Sequence, residues 1–314
     1  MRAKPWMVAA VVLSLPTLAA ALTCGDTITT DTVLNTTLTC SCGATKDYCV
    51  QIRNNALLSG SGTIQCGANC PANAIKVDDG YSGRVSGINI NGFYDAIFVD
   101  GGTAQISNVD ISSPSHYGIY ARNFSDVDVT GGSINGAGDE GVHYQDSTGT
   151  LNGVSITNTA DEAIYVLGTA GTGAYVDATD VTITTFGTPD GGVGESGINV
   201  ENQGAAAIFI GTRVSVTGGD SSAGKCIDAR SGAIVAVDNT GLVNGSGAAI
   251  SGLNCKYWLK SSGGSGLAFA ADTGGVCCCK LDGTLSSIQL DVPADGTYSP
   301  ATSACASGCP AGCC

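Results

Sequence analysis

Along the middle of the chain a short pattern recurs: a small residue, an aliphatic, a variable residue, then often another aliphatic. It reads Cys49-Val-Gln-Ile, Ala74-Ile-Lys-Val, Ala96-Ile-Phe-Val, Gly118-Ile-Tyr-Ala, Gly141-Val-His-Tyr, Ala163-Ile-Tyr-Val, Gly197-Ile-Asn-Val, Cys226-Ile-Asp-Ala and Ala249-Ile-Ser-Gly. The small residues follow one another at steps of 25, 22, 22, 23, 22, 34, 29 and 23. A second ladder precedes each repeat: Ile88-Asn-Ile, Val109-Asp-Ile, Ser133-Ile, Val154-Ser-Ile, Val181-Thr-Ile and Val214-Ser-Val. A third lies just before that, at Val85, Ile106, Val129 and Leu151.

Strict alternation of apolar and polar positions marks strands with one buried face. Three short strands in each period leave no room for hairpins. They can coil, each strand pairing with its equivalent one turn later. Gly87, Asn108, Gly131, Gly153 and Asp180 fall at one corner of that coil. These residue types tolerate left-handed backbone angles. The pattern therefore predicts an all-β, single-domain parallel β-helix of about nine coils, roughly 40 Å long at about 4.8 Å per coil. No 3.6-residue periodicity competes with it.

The first residues read as a secretory leader. Arg2 and Lys4 precede the apolar run Val8 to Ala21, and Ala19-Ala-Ala fits a cleavage site before Leu22. The run is too short to favour a transmembrane helix. Secretion accounts for the 15 cysteines. All but Cys226 cluster at the two ends, as disulfide-stapled caps over the open ends of a solenoid would. The expected organisation is a leader at 1–21, a cysteine-rich N-terminal cap with the first coil at 22–73, the β-helix at 74–254 and a cysteine-rich C-terminal cap at 255–314. Asn35, Asn123 and Asn244 open glycosylation sequons. The net charge of −14 argues against nucleic acid or an anionic membrane as partner.

The coils resemble the right-handed β-helix repeats of the pectin lyase-like superfamily. The opening Cys24-Gly-Asp-Thr-Ile-Thr-Thr, followed by Leu38-Thr-Cys, resembles the first turn of many secreted proteins of that kind. The resemblance covers nearly the whole mature chain, as a pattern and not as catalytic motifs. It implies the right-handed fold and a carbohydrate partner. The Asn-Thr-Asp, Asp-Asp and Gly-His-Gly set of polygalacturonase-type hydrolases is absent, as is the Asp-Pro-His signature of alginate epimerases.

The outward position of the repeat reads Gln51, Lys76, Phe98, Tyr120, His143, Tyr165, Asn199, Asp228. Arg122 lies on a flanking ladder. The turn before the strand adds His116, Asp139, Glu140, Asp161 and Glu162. Phe98, Tyr120, Tyr165, Asn199 and His116 are the expected substrate contacts. His143, Tyr120, Tyr165 and Arg122 would serve lyase or epimerase chemistry: a base, a proton donor and a partner for a uronate carboxylate. Asp139 with Asp161, or Glu140 with Glu162, would serve hydrolysis, since adjacent coils set carboxylates about 5 Å apart. The bland account is that aromatic ladders stabilise coils by stacking and that acids are good turn formers. No cofactor is expected, with calcium at the four acids as the alternative. The competing functions are a non-catalytic surface scaffold and, from the short-polar ladder that includes Thr182 and Thr184, ice binding.

Overall fold

A computed structural model describes residues 21–41, 46–187, 196–217, 225–231 and 233–238, and six strand segments between Gly241 and Asp291. The expected leader lies almost wholly outside these residues, as do most of the long turns at 184–196 and 217–225. Cys305, Cys309, Cys313 and Cys314 of the expected C-terminal cap lie outside them too.

Every strand of the coil pairs in parallel with its equivalent one turn away. Three sheets result. One coil shows the plan: Asp95–Asp100 belongs to the first sheet, Thr103–Ser107 to the second and Asp110–Ser112 to the third. The chain is a right-handed parallel β-helix. Among the described residues the first sheet holds 12 strands, the second 11 and the third 9. The expected nine coils match Tyr48–Ile52 through Ile250–Leu253. Asp26–Ile28 precedes them, and Ala268–Asp272 and Gln289–Asp291 follow. Those three strands lack the small-aliphatic signature, so spacing alone does not find them.

Alternation decides what is buried. In the first sheet Ile97, Ile119, Val142, Ile164, Ile198 and Ile227 stack in register and are buried. Ile64, Ile90, Ile111, Ile134, Ile156 and Ile183 do the same in the third. Tyr144 interrupts the aliphatic pattern. Its ring is fully buried and its hydroxyl donates to the Val127 carbonyl at 2.8 Å. Gly149 makes the room: a Cβ there would stand 2.0 Å from the Val127 oxygen and 2.8 Å from the Tyr144 ring.

The corner residues behave as their types predict. Gly87, Asn108, Gly131, Gly153 and Asp180 have φ of 72°, 51°, 64°, 67° and 55°. Arg213 extends the row at 53° and grips Asp180 with two hydrogen bonds of 2.6 Å.

Disulfides join Cys40 to Cys49 and Cys66 to Cys70 at the N-terminal end, a pattern that fits an oxidising compartment. No helix among the described residues is long and apolar enough to cross a membrane.

Candidate active site

The site lies on the outer face of the first sheet and on the turns that lead into it. Registry stacks its side chains. Phe98, Tyr120, His143, Tyr165 and Asn199 are successive partners across neighbouring strands. Coil spacing brings their rings together: Phe98 to Tyr120 at 5.4 Å, Tyr120 to His143 at 5.0 Å and His143 to Tyr165 at 4.7 Å between centroids.

The turns add two further columns. Tyr94, His116, Asp139 and Asp161 form one, linked by backbone hydrogen bonds from each residue to its predecessor of 3.0, 3.2 and 3.3 Å. Asp95, Tyr117, Glu140 and Glu162 form the other. Sequence reading found the acids and His116 here but passed over Tyr94 and Tyr117, which occupy the same periodic positions. Tyr117 packs edge-on to both Tyr120 (4.8 Å) and His143 (5.1 Å).

His116 is held on all sides. It stacks on Tyr94 at 4.2 Å and lies 3.6 Å from the Tyr117 ring centre. Its Nδ1 meets Asp95 Oδ1 at 3.0 Å and its Nε2 meets Asp139 Oδ2 at 3.1 Å. Burial raises the Asp95 pKa, against the hydrogen bond from His116.

The four acids divide by depth. Glu140 and Glu162 are 5% and 4% exposed, whereas the Asp139 side chain is 31% exposed and Asp161 is half-buried. Burial pushes Glu140 up to about 7. Burial, then the hydrogen bond to Asp161, pushes Glu162 higher still. Asp139 rises to about 7, first through desolvation and then through the charge of Glu140. His143 moves the other way, down to about 4, because burial disfavours the imidazolium. Its Nδ1 lies 3.3 Å from Glu140 Oε1. Burial thus pushes one partner towards its neutral acid and the other towards its neutral base, so the contact is not a pair of full opposite charges at neutral pH. Neither ring nitrogen of His143 finds a hydrogen-bond partner among the described residues, nor does Glu140 Oε2.

The remaining expected site residues are already engaged. Arg122 donates to Asp100 at 2.8 Å, and its guanidinium lies 4.9 Å from the Phe98 ring centre and 5.8 Å from that of Tyr120. Tyr120 donates to Gln145 at 2.6 Å and Tyr165 to Glu201 at 2.7 Å. Burial raises both phenols. Asn199 is 1% exposed and donates to Glu162 at 2.8 Å. Phe98 is 7% exposed. A flexible or extended ligand therefore meets Tyr94, His116, Asp139, Asp161, Tyr120 and Tyr165 before the deeper groups.

The acids form no compact donor set for a cation. Among the described residues, the one group of three whose donor atoms lie within 4.8 Å is Cys24, Cys40 and Cys49, and two of these form a disulfide.

No family model and no curated protein matches the chain. Similar solved structures include an alginate lyase from Paenibacillus sp. str. FPU-7, at 15% identity over 73% of this chain and 88% of that one, with a TM-score of 0.42. The catalytic domain of a GH87 alpha-1,3-glucanase in complex with nigerose matches at 12% identity, over 88% of this chain and 63% of that one, with a TM-score of 0.44. The A-module of the Azotobacter vinelandii mannuronan C-5 epimerase matches at 12% identity, over 83% and 85%, with a TM-score of 0.37. Likeness of this degree assigns no activity. What stands on the strand pairing itself is the architecture, a parallel β-helix of the kind that the resemblance to the pectin lyase-like superfamily implied.

Proposed function

We propose that this is a secreted, extracellular protein that binds polysaccharide across the outer face of the first sheet and hydrolyses it. Asp139 is the proton donor and Asp161 the nucleophile. One feature carries the reading: Asp139 is an accessible carboxyl held 3.1 Å from His116 Nε2, and burial and Glu140 raise it to about 7, the range suited to a proton donor near neutrality. Asp161 occupies the same column one coil on, at the separation of about 5 Å that suits a retaining mechanism.

In the first step the Asp139 carboxyl gives its proton to the glycosidic oxygen. The Asp161 carboxylate attacks the anomeric carbon, the C–O bond to the leaving sugar breaks and a glycosyl ester forms. In the second step Asp139, now a carboxylate, takes a proton from water. The hydroxide attacks the anomeric carbon and releases Asp161. His116 holds Asp139 in place. Tyr94, Tyr120 and Tyr165 offer ring faces for sugar stacking.

A second reading is binding without turnover. It is favoured by the burial of His143, Glu140 and Glu162 and by the tied hydroxyls of Tyr120 and Tyr165.

A polysaccharide panel, incubated with calcium or chelator, separates these readings. Release of reducing ends without the unsaturated chromophore of a lyase product marks hydrolysis. Asp139→Asn and Asp161→Asn are expected to bind the cleaved polymer as the wild type does and to cut it at least about a hundred-fold more slowly. Binding with no cleavage by the wild type would establish the non-catalytic reading. No binding across the panel would sink both.

A further inference from the structure

A recess separate from the acid columns opens at the other end of the same strands. It encloses about 450 Å³ and is lined by Asp78, Asp79, Asp100, Gly101, Asn123 and Phe124. These residues end or follow three successive strands, Asn73–Val77, Asp95–Asp100 and Ile119–Arg122.

Phe124 is 62% exposed, whereas Phe93, Phe98, Phe186 and Phe209 are buried. Asn123 and Phe124 both take left-handed backbone angles, φ 57° and 65°. A bulky side chain rarely adopts that conformation. Such strain persists where surrounding structure fixes it, and it clusters at working sites. Here the fixing is visible. The Phe124 amide donates to the Asp146 carbonyl at 2.9 Å. The buried Ser125 hydroxyl donates to the Arg122 carbonyl at 2.6 Å and accepts from the Gly101 amide at 2.9 Å. The ring rests over Gly171, where a Cβ would stand 2.4 Å from it. The fold thus holds an aromatic ring in solvent at the rim of a polar hollow.

We propose that this recess is a saccharide subsite that holds one ring of a neutral glycan. The apolar face of a pyranose lies against Phe124, and its hydroxyls donate to Asp79 and to the remaining lone pairs of Asp100, whose two oxygens already accept from Asn123 at 2.6 Å and Arg122 at 2.8 Å. Charge selects a neutral ligand. Lys76 and Arg122 already offset Asp78 and Asp100, which leaves the exposed Asp79 as the one uncompensated carboxylate of the three and disfavours an anionic sugar. A divalent cation is disfavoured too, because no three of these carboxylates bring donor atoms within 4.8 Å. Arg122 links the two places, since it donates to Asp100 of the recess and lies over the Phe98 and Tyr120 rings, so a chain crossing the aromatic ladder can reach the recess. The subsite binds sugar whether or not the acid columns turn it over.

The test uses the full mature chain made without N-glycosylation, since Asn123 opens a sequon. Saturation-transfer NMR and calorimetry, in chelator, would measure cello-, laminari-, malto-, xylo- and manno-tetraose, a glucosamine tetramer and a galacturonate trimer. The expected result is binding of at least one neutral tetraose. Phe124→Ala should weaken it about ten-fold and Asp79→Asn several-fold. Both changes lie at the surface, and unchanged circular dichroism would confirm an intact fold. The proposal is overturned if both variants bind as the wild type does, if no neutral tetraose binds, or if only the glucosamine or galacturonate oligomer binds.

Discussion

Glu140 offers a direct measurement of the electrostatics on which the functional proposal stands. Its carboxyl is 5% exposed, and burial raises its pKa from 4.5 to about 7. In the unfolded chain the group ionises near its ordinary value. Below that value it is protonated in both states and costs nothing. As pH rises, the unfolded chain releases the proton while the folded chain must keep it, so stability falls. The loss is complete once pH passes the folded value, and it amounts to about 3 kcal/mol. Glutamine mimics the protonated acid. Glu140→Gln should therefore match the wild type at about pH 4 and exceed it by up to about 3 kcal/mol at about pH 8. His143, lowered to about 4, acts in the opposite sense and loses stability as pH falls below 6.5. It flattens the wild-type curve and cancels in the difference between the two proteins, which reports Glu140 together with its interaction with Asp139. Urea denaturation across that pH range reads it out. A second readout follows from Asp139, which is raised partly by the charge of Glu140. In the variant, the alkaline fall of any hydrolytic activity should move to lower pH. A stability difference that does not change with pH would refute the assigned protonation of this cluster.

Three other outcomes test the packing beneath the site. Gly149→Ala would drive a methyl group onto the Val127 carbonyl and the Tyr144 ring, and should lower the unfolding free energy by about 1–3 kcal/mol in denaturant titration. Tyr144→Phe removes a fully buried hydroxyl from its carbonyl partner and should cost about 1–2 kcal/mol by the same measurement, while leaving glycan binding unchanged. Ser125→Ala removes a buried hydroxyl from the Val99 and Arg122 carbonyls, leaves the Gly101 amide with the Arg122 carbonyl alone, and frees the turn that carries Phe124. It should cost about 1–2 kcal/mol and weaken tetraose binding without altering cleavage.

The repeat was legible because a strand has a period of two and a coil has a nearly constant length. Those two regularities alone place Ile97 over Ile119 and Tyr120 under His143, and they assign the corner to Gly87, Asn108 and Asp180. They also bring the acids of neighbouring coils together. They fail where a strand carries no small-aliphatic signature, as in Asp26–Ile28, and where the residue type does not suggest its backbone, as at Arg213 and Phe124. Depth is the larger omission. Period assigns a residue to a coil and a direction, but not to a distance from solvent. Asp139 and Glu140 are chain neighbours of the same charge, yet one is accessible and the other sealed. What seals Glu140 is lateral: Tyr117 before it in its own column, Glu162 after it, and His143 beside it. Asn199, bonded to Glu162, and Phe98, under Lys76 and Arg122, likewise face outward by register and are nonetheless buried. An outward position on a β-helix is thus only a permission to be exposed. The turns on either side decide whether it is used, and here they separate an inner pair of acids that sets the local field from an outer pair placed to meet a substrate.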